Sequence, residues 1–120
     1  MEERRKLVRL KARLDATYAV LPDGAAQRTL TKDIGAGGAC LVADKPLAPG
    51  TQVQVALELP GHDQPVNAIA EVVRSAEFEM TGRTERRRSA EISIRMIEIA
   101  PQDVEVLSQF VAAGLQAHPA

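Results

Sequence analysis

Two clusters of residues in this chain have the types and spacing to do chemistry. The first is a run of arginines near the start, Arg4, Arg5 and Arg9, with Arg5 and Arg9 four residues apart. The second is Asp33-Ile34-Gly35-Ala36-Gly37-Gly38, about two dozen residues further on. A guanidinium presents a fixed fork of donors that suits oxyanions and flat aromatic surfaces. A carboxylate followed by a glycine-rich turn puts a fixed acceptor beside backbone that other groups can approach closely. Together they read as the edge of a small-ligand site. An ordinary tight hairpin uses the same turn residues, so the turn gains meaning only when read with the arginines.

Elements must exist to bring the two clusters together. From Leu10 to Leu21 apolar residues fall at alternate positions (Leu10, Ala12, Leu14, Ala16, Tyr18, Val20), with Lys11, Arg13 and Asp15 between them, which predicts a strand. Pro22-Asp23-Gly24 is a turn in which Pro presets φ and Gly is expected to take positive φ. A second strand over about 27–34 delivers Asp33 to the glycine turn, and a third spans about 38–43. Prolines and a glycine between Asp44 and Gly50 forbid regular structure. The alternation Val53, Val55, Leu57, Leu59 predicts a fourth strand, residues 66–75 a fifth, and residues 90–99 a sixth. Residues 77–89, polar and including Arg86-Arg87-Arg88, read as an extended loop or hairpin tip. Pro101 suits the first turn of a helix over about 101–117, with Val104, Leu107, Val111 and Leu115 as its apolar stripe and Phe110 beside it. The expected fold is mainly β, a six-stranded antiparallel barrel with a C-terminal helix.

Composition limits the function. One domain is the natural reading of 120 residues, and with no Trp, one Tyr and two Phe its core must be aliphatic. The formal charge of −1 supplies no global field for a nucleic acid polymer or an anionic membrane, so an anion site must come from local clustering. No apolar run approaches a membrane span and no leader pattern opens the chain, which predicts a soluble, cytoplasmic protein. The single cysteine, Cys40, reads as a small buried hydrophobe. His62 beside a Pro-Gly turn and His118 near the end have no companions at metal-ligand spacing, so neither a metal nor a cofactor is expected. The glycine turn leads into a strand rather than a helix and lacks GK[ST], which excludes a phosphate loop and a dinucleotide fingerprint. No nucleophile is framed for catalysis, so the chain is not read as an enzyme.

The RxxxR at Arg5 and Arg9, the DxGxxG at Asp33, Gly35 and Gly38, the KPLAPGT turn at 45–51 and the helix entry APQD at 100–103 stand in an order that resembles the PilZ family. That resemblance implies a six-stranded barrel with a C-terminal helix and a receptor for the bacterial messenger cyclic di-GMP. It implies ligand contacts at Arg5, Arg9, Asp33, Gly35 and Gly38, with Arg4 a candidate contact to a second nucleotide of a stacked ligand pair. On this reading residues 1–9 form a basic arm, residues 10–120 form the barrel with its helix, and binding reshapes the arm to signal in trans to a partner protein. The family's serine is Gly35 here. That departure keeps a second reading open, a PilZ-fold protein-interaction module without nucleotide binding.

Overall fold

A computed structural model describes residues 9–81 and 86–117, and the side chains within them except at 80, 81, 86, 87 and 117. Arg4, Arg5 and His118 lie outside the described residues. Among the described residues seven strands and one helix follow in order: β1 (Leu10–Lys11), β2 (Asp15–Val20), β3 (Gln27–Gly35), β4 (Gly38–Ala43), β5 (Gln52–Leu57), β6 (Val66–Thr81), β7 (Arg86–Ile99) and α1 (Pro101–Ala117). All pairings are antiparallel, in the order β3-β2-β5-β6-β7-β4, and β4 pairs back onto β3 to close a six-stranded barrel. The short β1 adds a further edge, pairing Leu10 with Ile34 and Lys11 with Asp33. Closure leaves no long unpaired edge within the barrel wall.

The interior is aliphatic, as the composition requires. Ile34, Leu41, Val53, Val55, Leu57, Val72, Ile92 and Ile94 are all nearly or completely removed from solvent. The helix closes one end of this core with Leu107 and Val111, and Gly114 lies against the methyl groups of Leu10, where a Cβ would come within 2.3 Å. The inward ridge is therefore Leu107 and Val111, buried, with the half-buried Gly114, whereas Leu115, expected on the apolar stripe, is 39% exposed. The carbonyl of Ala100 accepts from the N–H groups of Asp103 and Val104, which opens the helix without a capping side chain.

Three expectations are corrected. The first predicted strand is two pieces, because residues 12–14 leave the ladder and are held instead by Thr31. That side chain is fully buried, and its hydroxyl accepts from the Leu14 N–H at 2.9 Å and donates to the Ala12 carbonyl at 2.5 Å. Of the extended loop or hairpin tip expected over 77–89 the hairpin forms, and it is longer than a tip: residues 77–81 and 86–89 are the outer part of a long β6–β7 ribbon, paired from Ala68–Ile99 out to Thr81–Arg86. The ribbon overruns the barrel, so its faces have no core to cover and carry no apolar alternation. Finally, Gly24 is not at positive φ; among the described residues only Gly50 and Gly61 are. Gly24 is instead required by close approach, since a Cβ there would lie 2.5 Å from the Val20 carbonyl oxygen.

Candidate functional site

The side chains that could act together meet on the outer face of the barrel where β3, β4, β7 and β6 run side by side. The delivery of Asp33 to this face depends on a β-bulge. Along β3 the alternation places Thr29 and Thr31 inward, and continued without interruption it would bury Asp33 as well. The register shifts between Thr31 and Asp33, so Lys32 is the extra residue. The phase reverses: Lys32 and Asp33 both face out and Ile34 returns to the core.

Arg9, just before β1, donates from Nη1 to Oδ1 of Asp33 at 2.8 Å. The two residues are 24 positions apart, and β1, pairing beside Asp33, sets the approach. Of the residues singled out in the sequence, the structure therefore joins Arg9 and Asp33 directly. Gly35 is buried and lies opposite Gly38 at the end of the β3–β4 hairpin, whose turn is Ala36-Gly37. The Gly37 carbonyl accepts from the Met96 N–H at 2.9 Å, which docks the turn on β7. The space over Gly38 is already filled: a Cβ would lie 2.3 Å from the Ile94 carbonyl oxygen and 3.1 Å from Nη2 of Arg9. Gly38 thus lets β4 sit close to β7 and leaves room for the guanidinium.

Beside this pair lies a groove of about 580 Å³, lined by Arg9, Asp33, Cys40, Ser93 and Arg74, with Lys32 and Glu91 along one wall. Lys32 donates to both oxygens of Glu91 at 2.9 and 3.1 Å, and this partnership raises the lysine pKa. At the margin Arg95 pairs with Glu71 across β7 and β6 at 2.6 Å. Lys32, Arg74, Glu91 and Ser93 are not marked by any local motif. Their common place arises from strand pairing alone, since Asp33 is opposite Cys40, Cys40 opposite Ser93, and Ser93 opposite Arg74.

Cys40 forms part of the groove floor but is 7% exposed. Burial raises its thiol pKa above the ordinary 9.0, and the carboxylates of Asp33 and Glu91 raise it further. The thiol is therefore protonated at neutral pH and a poor nucleophile. Iodoacetamide at pH 7.5 should modify the native chain far more slowly than the urea-unfolded chain; equal rates would contradict this environment. The same shift sets a pH dependence. The unfolded thiol loses its proton as pH passes 9.0 while the folded one holds it, so its contribution to stability is whole below 9.0 and declines above. Tyr18, raised from 10.0 chiefly by burial and then by Asp44, adds to the decline at higher pH.

The arrangement offers positioned donors, acceptors and a concave floor, and among the described residues no group of three or more His, Cys, Asp or Glu could hold a metal. No helix among them is long and apolar enough to cross a membrane.

The PilZ domain family matches residues 3–113. Among solved structures, the chain is similar to the PilZ domain of YcgR from Escherichia coli, solved with c-di-GMP, at 18% identity and a TM-score of 0.70, covering 92% of this chain and 90% of that one. It is similar to the inhibitor of motility MotI/DgrA of Bacillus subtilis at 24% identity and a TM-score of 0.72, covering 94% of this chain and 52% of that one. It is also similar to MrkH of K. pneumonia at 15% identity and a TM-score of 0.77, covering 93% and 49%. The chain thus spans about half the length of the MotI and MrkH chains. No curated protein sequence matches it.

Proposed function

We propose that this chain, which belongs to the PilZ domain family, is a receptor for cyclic di-GMP that binds the messenger in the Arg9–Asp33 groove and performs no covalent chemistry. The observation that carries the proposal is the 2.8 Å contact between Arg9 and Asp33, which unites the arginine motif with the carboxylate of the glycine turn. The solved c-di-GMP complex of the YcgR PilZ domain, on a similar fold, supports the choice of ligand.

The chemistry follows from what the pair leaves available. A guanidinium has five N–H donors, and the Arg9–Asp33 hydrogen bond uses one of them. The remaining donors face a phosphate or the O6/N7 edge of a guanine, while Oδ2 of Asp33 is available to accept from guanine N1–H and N2–H₂. Adenine lacks that donor pair, so the site should prefer guanine. The ion pair holds both side chains in place before the ligand arrives, which lowers the ordering cost of binding. Arg5, and Arg4 for a second stacked nucleotide, enter the proposal through the sequence pattern; residues 1–9 would act as the arm that wraps the ligand. An arm ordered by its ligand offers a partner protein a changed surface, and this is how the domain at 10–120 would signal in trans.

Calorimetric titration with cyclic di-GMP, with cyclic di-AMP and GTP as controls, tests the reading. Saturable, guanine-selective heat is expected, and its absence would overturn the proposal. Gly35 favours the second reading, a PilZ-fold interaction module that does not bind nucleotide. Relative to a serine, Gly35 forgoes a hydroxyl hydrogen bond of about 0.5–1.5 kcal/mol and adds backbone freedom of about 0.5–1 kcal/mol. Gly35→Ser should accordingly tighten binding by about tenfold in the same titration, one decade per about 1.4 kcal/mol. If neither the parent chain nor Gly35→Ser binds, the interaction-module reading stands.

A further inference from the structure

The Arg9–Asp33 pair occupies one end of the groove, and a second bulge builds the other end. Along β6 the alternation buries Val66, Ala68, Ala70 and Val72, and carried on by two residues it would turn Arg74 inward. The register instead shifts between Val72 and Arg74. Val73 is the extra residue, the phase reverses, and Arg74 is exposed opposite Ser93. An outward row therefore runs Asp33, Cys40, Ser93, Arg74 over four adjacent strands. Three strand spacings put its ends roughly 14 Å apart along the backbone. Both ends are charged residues re-aimed from the core by a bulge, a device that recurs next to functional sites.

The charge pattern distinguishes Arg74 from its neighbours. Arg9 is paired with Asp33, Lys32 with Glu91 and Arg95 with Glu71. Arg74 makes no ion pair or hydrogen bond among the described residues, and it lines the groove. Among the described residues the groove carries three cations and two carboxylates, and the surplus positive charge resides at Arg74.

We infer that Arg74 is a further ligand-contacting residue, its guanidinium taking a phosphate of the bound dinucleotide at the end of the groove away from Asp33. The inference rests on the receptor reading and extends it. A guanine held at Asp33 would direct its sugar and phosphates back over Cys40 and Ser93, toward Arg74, the one unneutralised cation of the groove among the described residues. A phosphate meets there a charge that no carboxylate among the described residues already faces, whereas Arg9 and Lys32 are each paired with one. Because the contact proposed for Arg74 is with charge at the far end of the groove rather than with a base edge, a lysine can serve in its place as a point charge.

The test is a titration of the parent chain, Arg74→Gln, Arg74→Lys and Arg9→Ala with cyclic di-GMP, with thermal unfolding of each. Arg74 is exposed and has no ion-pair partner among the described residues, so both of its variants should fold like the parent. Arg74→Gln is expected to weaken binding about tenfold, and Arg74→Lys to stay within about threefold of the parent. Arg74→Gln within twofold of the parent, while Arg9→Ala loses binding, would overturn this inference and leave the receptor reading standing. Equal losses in Arg74→Gln and Arg74→Lys would overturn the phosphate assignment. No saturable binding by the parent chain would overturn both the inference and the receptor reading.

Discussion

Arg9→Ala should lower affinity for cyclic di-GMP by at least about a hundredfold while the fold survives. The two halves of this expectation have different physical origins. Hydrogen bonds to charged groups are worth about 1.5–3 kcal/mol each, and a guanidinium facing a phosphate or guanine edge makes two. Truncation also leaves the Asp33 carboxylate without its cation, so a phosphate entering the groove meets an unscreened negative charge. At about 1.4 kcal/mol per decade, these effects together exceed two decades. For stability the ion pair counts for little. Its side chains are 37% and 26% exposed, and pairs of this kind contribute about 0–1 kcal/mol. Calorimetry and a thermal melt on the same sample separate the two. Parent-like affinity would refute the role of Arg9, and loss of binding together with unfolding would show that its role is structural.

Gly38→Ala should fail for the opposite reason, through the fold first. The added Cβ would sit 2.3 Å from the Ile94 carbonyl oxygen, a backbone atom that cannot swing aside. Relief requires β4 to draw away from β7 where Gly38 faces Arg95, or the Gly35–Gly38 hairpin end to tilt. Overpacking of this kind costs about 1–3 kcal/mol. The same methyl would press on Arg9, so the guanidinium is displaced and binding should fall even in the molecules that remain folded. Gly50 supplies the contrast. It has φ +90 with nothing within 4 Å of a Cβ, so Gly50→Ala carries backbone strain of about 1 kcal/mol and leaves the groove untouched. Urea unfolding and titration of both variants check this. A Gly38→Ala chain with parent-like stability and affinity would contradict the close approach.

Strands whose one face covers the core were legible in the sequence, because the alternation of Leu10 to Val20 and of Val53 to Leu59 records which side faces inward. The β6–β7 ribbon beyond the barrel was not, since Glu77, Glu79 and Arg88 cover nothing and carry no period. Arg9 and Asp33 stand out by type and spacing, Arg9 just before β1 and Asp33 near the end of β3, beside the glycine turn. The bulges at Lys32 and Val73 leave no comparable trace. A bulge is a property of two paired strands, and only the partner's register shows that one residue is extra. For that reason alternation alone would place both Asp33 and Arg74 inside the barrel. The rest of the groove was hidden for the same cause: Cys40, Ser93 and Arg74 become neighbours only through three strand pairings. Thr31 was equally silent, a polar residue at an interior position whose purpose is to hold the backbone of Ala12 and Leu14.

Binding of the messenger in this particular groove is the central claim, and amide chemical-shift mapping during titration with cyclic di-GMP tests it most directly. The largest shifts should fall on Asp33, Cys40, Ser93 and Arg74 and on the Gly35–Gly38 hairpin end, while Gln54, Asn67 and Ile69, which line a separate surface groove with Ile97 and Ile99, stay unmoved. An unchanged spectrum at saturating ligand, or shifts centred on Gln54 and Ile69, would contradict it.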